Sequence, residues 1–207
     1  VFFVFVLMLL VFSKNVYTSS LTSFFTFYLI ERFQLSVQAA QVQLFVFMAA
    51  LESGVRPDDS VSDRPITVQG WSPRNVGTVY RGDVTFREAA ARSSNAVAVA
   101  LAERAGRNKV VRAARRLGIT SPLRPDPSLA LGTNEVTLLE LTGAYAAVAN
   151  GGDGVWPYGI EEIRDGNGRV LYRRRGDGPG RAIEPDIVAG LNDLLSAAVA
   201  WGTGKAA

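Results

Sequence analysis

The stretch Thr85-Phe86-Arg87-Glu88-Ala89-Ala90-Ala91-Arg92-Ser93-Ser94-Asn95 decides how this chain is read. Thr85 with Glu88 three residues on predicts a reciprocal capping box: Thr85 accepts a first-turn N–H, and Glu88 returns to the Thr85 N–H. After the polar cluster, Ala96-Val97-Ala98-Val99-Ala100-Leu101-Ala102-Glu103 is again helical in composition. Ser93, Ser94 and Asn95 therefore fall at the junction of two apolar helices, where two hydroxyls and an amide converge. Alone, such a cluster reads as a cap or a turn before it reads as a catalytic element.

Composition narrows the chemistry. A chain of 207 residues, 48% of them hydrophobic, holds one domain of ordinary size with a real core. Its formal charge of +3 is too small to argue for nucleic acid. Cysteine and histidine are absent. That removes a disulfide framework, a thiol nucleophile, an imidazole base and the usual zinc ligands, so no metal or cofactor is expected. Acid, base or nucleophile must come from Ser, Lys, Tyr, Asp or Glu, and the lysines are Lys14, Lys109 and Lys205.

Charge divides the chain at its start. Before Glu52 the charged side chains are Lys14, Glu31 and Arg32. Val1 to Phe12 is apolar throughout, shorter than the roughly 20 residues of a membrane helix. It has neither the initial Met nor the basic n-region of a signal peptide. Residues 1–35 stay open between a membrane or targeting segment, a buried strand-like region and a misread start; the initial Val favours an incomplete chain. Residues 36–207 form the predicted domain.

Within it, Val42, Phe45, Val46, Ala49 and Ala50 recur at helical spacing up to a stop at Gly54, which predicts a buried helix. Asp58, Asp59 and Asp63 lie in a polar stretch without the glycine and closing glutamate of a calcium loop, so a solvated connection is expected. Ile66-Thr67-Val68 predicts a short strand, and Trp71 beside Pro73 an aromatic pinning a turn. Asn108 is the expected cap of a helix with Val110, Val111, Ala114 and Leu117 inward and Arg112, Arg115 and Arg116 in solvent. Thr137 and Glu140 make a second capping box, with Val136 and Leu141 at the spacing of a hydrophobic staple. That helix, with Leu141, Tyr145 and Val148 on one face, ends at Asn150-Gly151-Gly152. Asp165-Gly166-Asn167-Gly168 predicts a hairpin turn, and Glu184-Pro185 opens a last helix. Gly202-Thr203-Gly204-Lys205 lacks the spacing of a phosphate-binding loop.

Four blocks in order carry a resemblance: Trp71-Ser72-Pro73-Arg74-Asn75; the Thr85 helix with Ser93-Ser94-Asn95; Leu131-Gly132-Thr133 through Thr142; and Ala144-Tyr145 through Gly152; Phe45 to Glu52 extends it backward and Gly202 to Ala207 to the chain end. Together they resemble the acyl-serine transpeptidase domain of penicillin-binding proteins, especially the bifunctional class A peptidoglycan synthases, over roughly residues 38–207. The resemblance implies an α+β fold, an antiparallel sheet packed with helices, here incomplete. It also implies peptidoglycan D,D-transpeptidation: a serine attacks the terminal D-Ala-D-Ala of a stem peptide, or a β-lactam mimic, and a lysine one turn later assists. The acyl group then passes to an amine of another stem peptide. Ser93 takes the place of the second-motif serine that relays a proton. Asn95 takes that of the asparagine that holds the substrate amide, and Ser94 is the variable residue between them. Trp71 and Tyr145 are assigned to packing.

The departures are as specific as the match. The same alignment puts Ala40 at the nucleophile and Gln43 at its lysine, and neither can substitute chemically. No Ser-x-x-Lys occurs in the chain, since Val11, Gly106 and Gly202 precede the three lysines by three residues. Lys-Thr-Gly, the third motif, is also absent; Gly202-Thr203-Gly204-Lys205 matches the turn before its strand. An inactive fragment of a transpeptidase is the expectation, with poor solubility from uncovered sheet edges. The alternative is a noncatalytic envelope protein that binds stem peptides or scaffolds cell-wall synthesis proteins. Either reading implies a bacterial cell membrane location with the domain outside the cytoplasm.

Overall fold

In the computed structural model, residues 37–176 and 178–205 are described. The fold is built around one helix, α1 (Val37–Glu52). From Gln43 to Leu51 every residue of α1 is buried, Phe45 and Met48 almost completely. A helix apolar all round can only be covered all round. Four elements cover it: α3 (Asn95–Ala105), α4 (Arg107–Arg116), a 3₁₀ turn (Pro127–Leu131) and α6 (Pro185–Ala200). The predicted stop holds: Gly54, at φ 92°, closes α1 in a conformation that side chains avoid.

Among the described residues, two short antiparallel ribbons accompany the helices. The first pairs β1 (Ser60–Asp63) with β2 (Gly82–Thr85), Ser60 opposite Thr85 and Asp63 opposite Gly82. This corrects two expectations. The stretch containing Asp63 is a strand rather than a solvated loop, and Ile66-Thr67-Val68 is not a strand; only Val68 bridges, to Trp71. Alternation explains the first: Val61 and Asp63 share the inward face, so the carboxylate follows the valine into the interior. Trp71 packs against the core as expected. The second ribbon, β3 (Glu162–Arg164) with β4 (Val170–Arg173), is the predicted hairpin around Asp165 to Gly168.

The remaining helices are α2 (Phe86–Ala91) and α5 (Leu138–Ala149). Phe86 of α2 meets Phe47 of α1 edge to face, with ring centres 5.3 Å apart, a favoured aromatic geometry. The α5 capping box forms in full between Thr137 and Glu140. Glu140 also accepts from the backbone N–H and hydroxyl of both Thr120 and Ser121, tying the 119–121 segment to the start of α5. The Ser121 hydroxyl first, then that of Thr120, holds this carboxyl well below the usual range. The box predicted at Thr85 is only half made: Glu88 N–H donates to Thr85 Oγ1, but the Glu88 carboxylate turns to Arg92 Nε at 3.0 Å. Asn108 is not the cap of α4, whose cap position is Gly106, without a side-chain cap bond; Arg112, Arg115 and Arg116 are exposed as expected. Among the described residues, no helix is long and apolar enough to cross a membrane. The expectations for residues 1–35 fall outside the described residues.

Candidate functional site

Helix α2 is fixed at both ends. At its start, Phe86 and Arg87 N–H donate to the Asp59 and Pro57 carbonyls, each at 2.9 Å. Along its side, Arg87 is clamped between Asp193 of α6 and Asp58. At its end the chain reverses through Ser93, whose φ of 53° is in the left-handed region. Ser93 N–H donates to Ala90 O at 3.1 Å and Ser94 N–H to Ala89 O at 3.0 Å. This is the paired closure of a Schellman motif, with serine where glycine is favoured. Holding a non-glycine residue there costs on the order of 1–3 kcal/mol.

The next residue starts the next helix. Ser94 caps α3, its Oγ accepting the Val97 N–H at 3.2 Å. The residue between the two predicted site residues has a structural part of its own. Only 8% exposed, its hydroxyl donates to Asp63 Oδ1 at 2.7 Å. Asn75 Nδ2 donates to the same oxygen at 2.7 Å and to Val79 O at 2.9 Å. Asn75 Oδ1 accepts the Ala96 N–H at 3.0 Å, and Asp63 Oδ2 accepts the Arg81 N–H at 3.0 Å. Burying Asp63 to 3% exposure is tolerable because its oxygens are met by three donors. Little in the sequence marks this network. Ser60-Val61-Ser62-Asp63 alternates, but a single valine is a faint sign of an inward face.

The two predicted site residues stand together at this junction. Asn95, first residue of α3, donates from Nδ2 to Arg74 O at 2.7 Å. Ser93 Oγ lies 3.2 Å from Thr203 Oγ1. That contact brings the Gly202–Lys205 turn, more than a hundred residues later, against the end of α2: Thr203 N–H donates to Ala91 O at 2.9 Å. Only glycine fits at 202, where a Cβ would stand 2.2 Å from Ala91 O. Arg92 lies over the Trp201 ring, 5.8 Å from its centre. The cavity lined by Ser93 and Ser94 together with Asp63, Asn75 and Glu88 is about 50 Å³, space for a few waters and not for a peptide.

The positions aligned with nucleophile and lysine lie on α1. Ala40 is within that helix, its surroundings outside the described residues. Gln43 is 7% exposed, and its Nε2 has no hydrogen-bond partner among the described residues. What the arrangement offers is a hydroxyl and a carboxamide on one turn, groups that both donate and accept hydrogen bonds.

Residues 42–207 match the family model described as penicillin binding protein transpeptidase domain. Ala40 precedes that match and Gln43 is inside it. The chain is 40% identical over 136 residues to penicillin-binding protein 1A of Rickettsia prowazekii (strain Madrid E), which covers 63% of this chain and 17% of that protein. Among solved structures, penicillin-binding protein 1A from Haemophilus influenzae superposes with a TM-score of 0.73 at 24% identity, over 80% of this chain and 30% of that one. An imipenem acyl-enzyme complex of penicillin-binding protein A from M. tuberculosis gives a TM-score of 0.70 at 24% identity, over 77% and 43%. These structures establish the shared fold. The chain spans about a sixth of the length of the Rickettsia relative, 17%.

Proposed function

The chain belongs to the penicillin-binding protein transpeptidase family, and from that membership we propose that it carries the second-motif part of a peptidoglycan D,D-transpeptidase site. The observation that carries this reading is the turn at Ser93 and Asn95, held in a strained conformation with its hydroxyl against the Gly202–Lys205 turn. Strain kept at a polar junction is characteristic of functional positions. Asn95 would hold the amide of a stem peptide ending in D-Ala-D-Ala, or of a β-lactam. Ser93 would pass a proton to or from the leaving group. In a full site this assists acyl transfer from the peptide to a serine and then to an amine of a second stem peptide.

This chain does not take the covalent step. Opening the peptide or lactam bond needs an oxygen nucleophile and a base within reach, and α1 carries Ala40 and the neutral amide of Gln43 at the aligned positions. The family's location, outside the cytoplasm at the bacterial membrane, belongs to the same proposal. Incubation with a fluorescent penicillin followed by denaturing electrophoresis tests it: no adduct is expected, and a stable adduct would overturn the assignment of the missing nucleophile. Gln43 in place of lysine, inside the matched residues, also favours the noncatalytic envelope protein as second reading. Saturable reversible binding of a D-Ala-D-Ala peptide without an adduct would favour that role.

A further inference from the structure

Ser93 and Asn95 project from a turn whose backbone is unfavourable, and their own contacts are few: one hydroxyl pair and one bond to Arg74 O. Something else fixes the turn. The groups that grip it are Ser94 and the Ala96 N–H, and both are held by residues from other parts of the chain. Asp63 comes from β1, 31 residues before Ser94. Asn75 comes from the loop before β2, 21 residues before Ala96.

We propose that Asp63 and Asn75 are positioning residues for the Ser93–Asn95 pair, clamping the turn from behind through Ser94 and Ala96. The inference rests on the reading of Ser93 and Asn95 as substrate-facing. Its logic is one of hydrogen-bond polarity. Asp63 Oδ1 accepts from both Ser94 Oγ and Asn75 Nδ2, Asp63 Oδ2 is occupied by the Arg81 N–H, and Asn75 Oδ1 accepts the Ala96 N–H. Each polar atom has a role only its neighbour's chemistry can fill. An acceptor-only carboxylate is needed at 63 and a donor–acceptor amide at 75. Replacing Asn75 by Asp keeps size and shape, but sets two carboxylates against each other where an amide had donated to a carboxylate. Such a pair releases one proton only at raised pH.

The network also relates the two parts of the turn. With Ser94 as both cap of α3 and ligand of Asp63, rotating Ser93 out of the left-handed region would break the Val97 cap and the Asp63 bond together. The strain at Ser93 thus persists because several bonds over-determine the turn.

Amide hydrogen exchange followed by mass spectrometry on the full chain tests this, in detergent where needed, comparing residues 93–97 with α4 as an internal control. Asn75→Ala is expected to raise exchange at 93–97 about tenfold while α4 stays within about twofold, the pattern of local opening rather than global unfolding. Asn75→Asp is expected to show the same rise at about pH 8 and to return close to wild type at about pH 5, where the paired carboxyls share a proton. Ser94→Thr, which keeps the hydroxyl, should match wild type, and Ser94→Ala should not. Should Asn75→Ala fail to fold, the two-pH comparison in Asn75→Asp and the Ser94 pair still decide. Equal rises at 93–97 and in α4, or none, would overturn the positioning role. A synthetic peptide ending in D-Ala-D-Ala, added to the wild-type chain, separates the two claims. It should slow exchange at 93–97, and slow it about tenfold less in Asn75→Ala at the same peptide concentration. Absence of any slowing in wild type counts against the substrate-facing reading, while the variants' exchange patterns judge the clamp.

Discussion

Helix α1 and the Ser93–Asn95 turn, the two stretches that the resemblance sets at catalytic motifs, are held in opposite ways. Helix α1 keeps its packing: Leu44, Phe45, Val46 and Met48 are at most 1% exposed, and four elements close around it. It also buries the Gln43 amide, whose Nε2 has no hydrogen-bond partner among the described residues. The turn is locally strained and is supported by polar bonds from behind. A catalytic helix is thus separable into a packing face that specifies the fold and a few positions that specify the reaction. A catalytic turn is less separable, because its geometry is itself made of polar groups.

That contrast makes ordered predictions. The largest effect is expected at Phe45→Ala, where a fully buried ring at the centre leaves a cavity; unfolding free energy should fall by about 3–5 kcal/mol in a denaturant titration. A loss below about 1 kcal/mol would mean that α1 is not the organising helix. Next comes Gln43→Met, which replaces an amide whose Nε2 is buried and unpaired by an apolar side chain of similar length. A gain of about 1–2 kcal/mol is expected from the same titration. If stability drops instead, the amide is engaged and the contrast between α1 and the turn weakens.

Ser93→Gly should stabilise by about 1 kcal/mol in thermal melts, since glycine takes the left-handed conformation without a Cβ penalty. It should also abolish peptide-dependent protection of the turn, so that stability and recognition move in opposite directions. The smallest change is expected at Glu140, far from either region in sequence. Its folded-state pKa is depressed by the Ser121 and Thr120 hydroxyls, so its contribution is complete above the ordinary carboxylate pKa of about 4.3 and is lost as pH falls through the lowered value. Glu140→Gln should flatten the acid side of a stability–pH profile relative to wild type and leave the neutral side parallel to it.

The elements that local rules govern were legible: the buried helix to Gly54, the Thr137–Glu140 box, the hairpin at Asp165–Gly168 and the helix from Pro185. Each depends on neighbours within a few residues, so a sequence window contains its cause. The missed features share a different origin. Glu88 leaves Thr85 for Arg92 because an i,i+4 cation competes with the cap, and two rules applied to one side chain. Asn108 was overruled by Gly106, and Ser60–Asp63 became a strand only because Gly82–Thr85 lies beside it. Asp63 was the costliest of these to misread, for a carboxylate in a polar stretch looks solvated until a distant partner buries it.

By itself, then, the sequence determined the family, the identities of Ser93 and Asn95, the lack of a Ser-x-x-Lys pair, and the helices whose periodicity and caps are local. Only the tertiary structure decided that Ser93 takes a left-handed turn, that Ser94 is the structural pivot between Ser93 and Asn95, and that Asp63, Asn75 and Thr203 meet there. The reason is separation along the chain. Capping and periodicity act over three or four residues, whereas these bonds join positions from 12 to 110 residues apart and exist only once the core has brought them together.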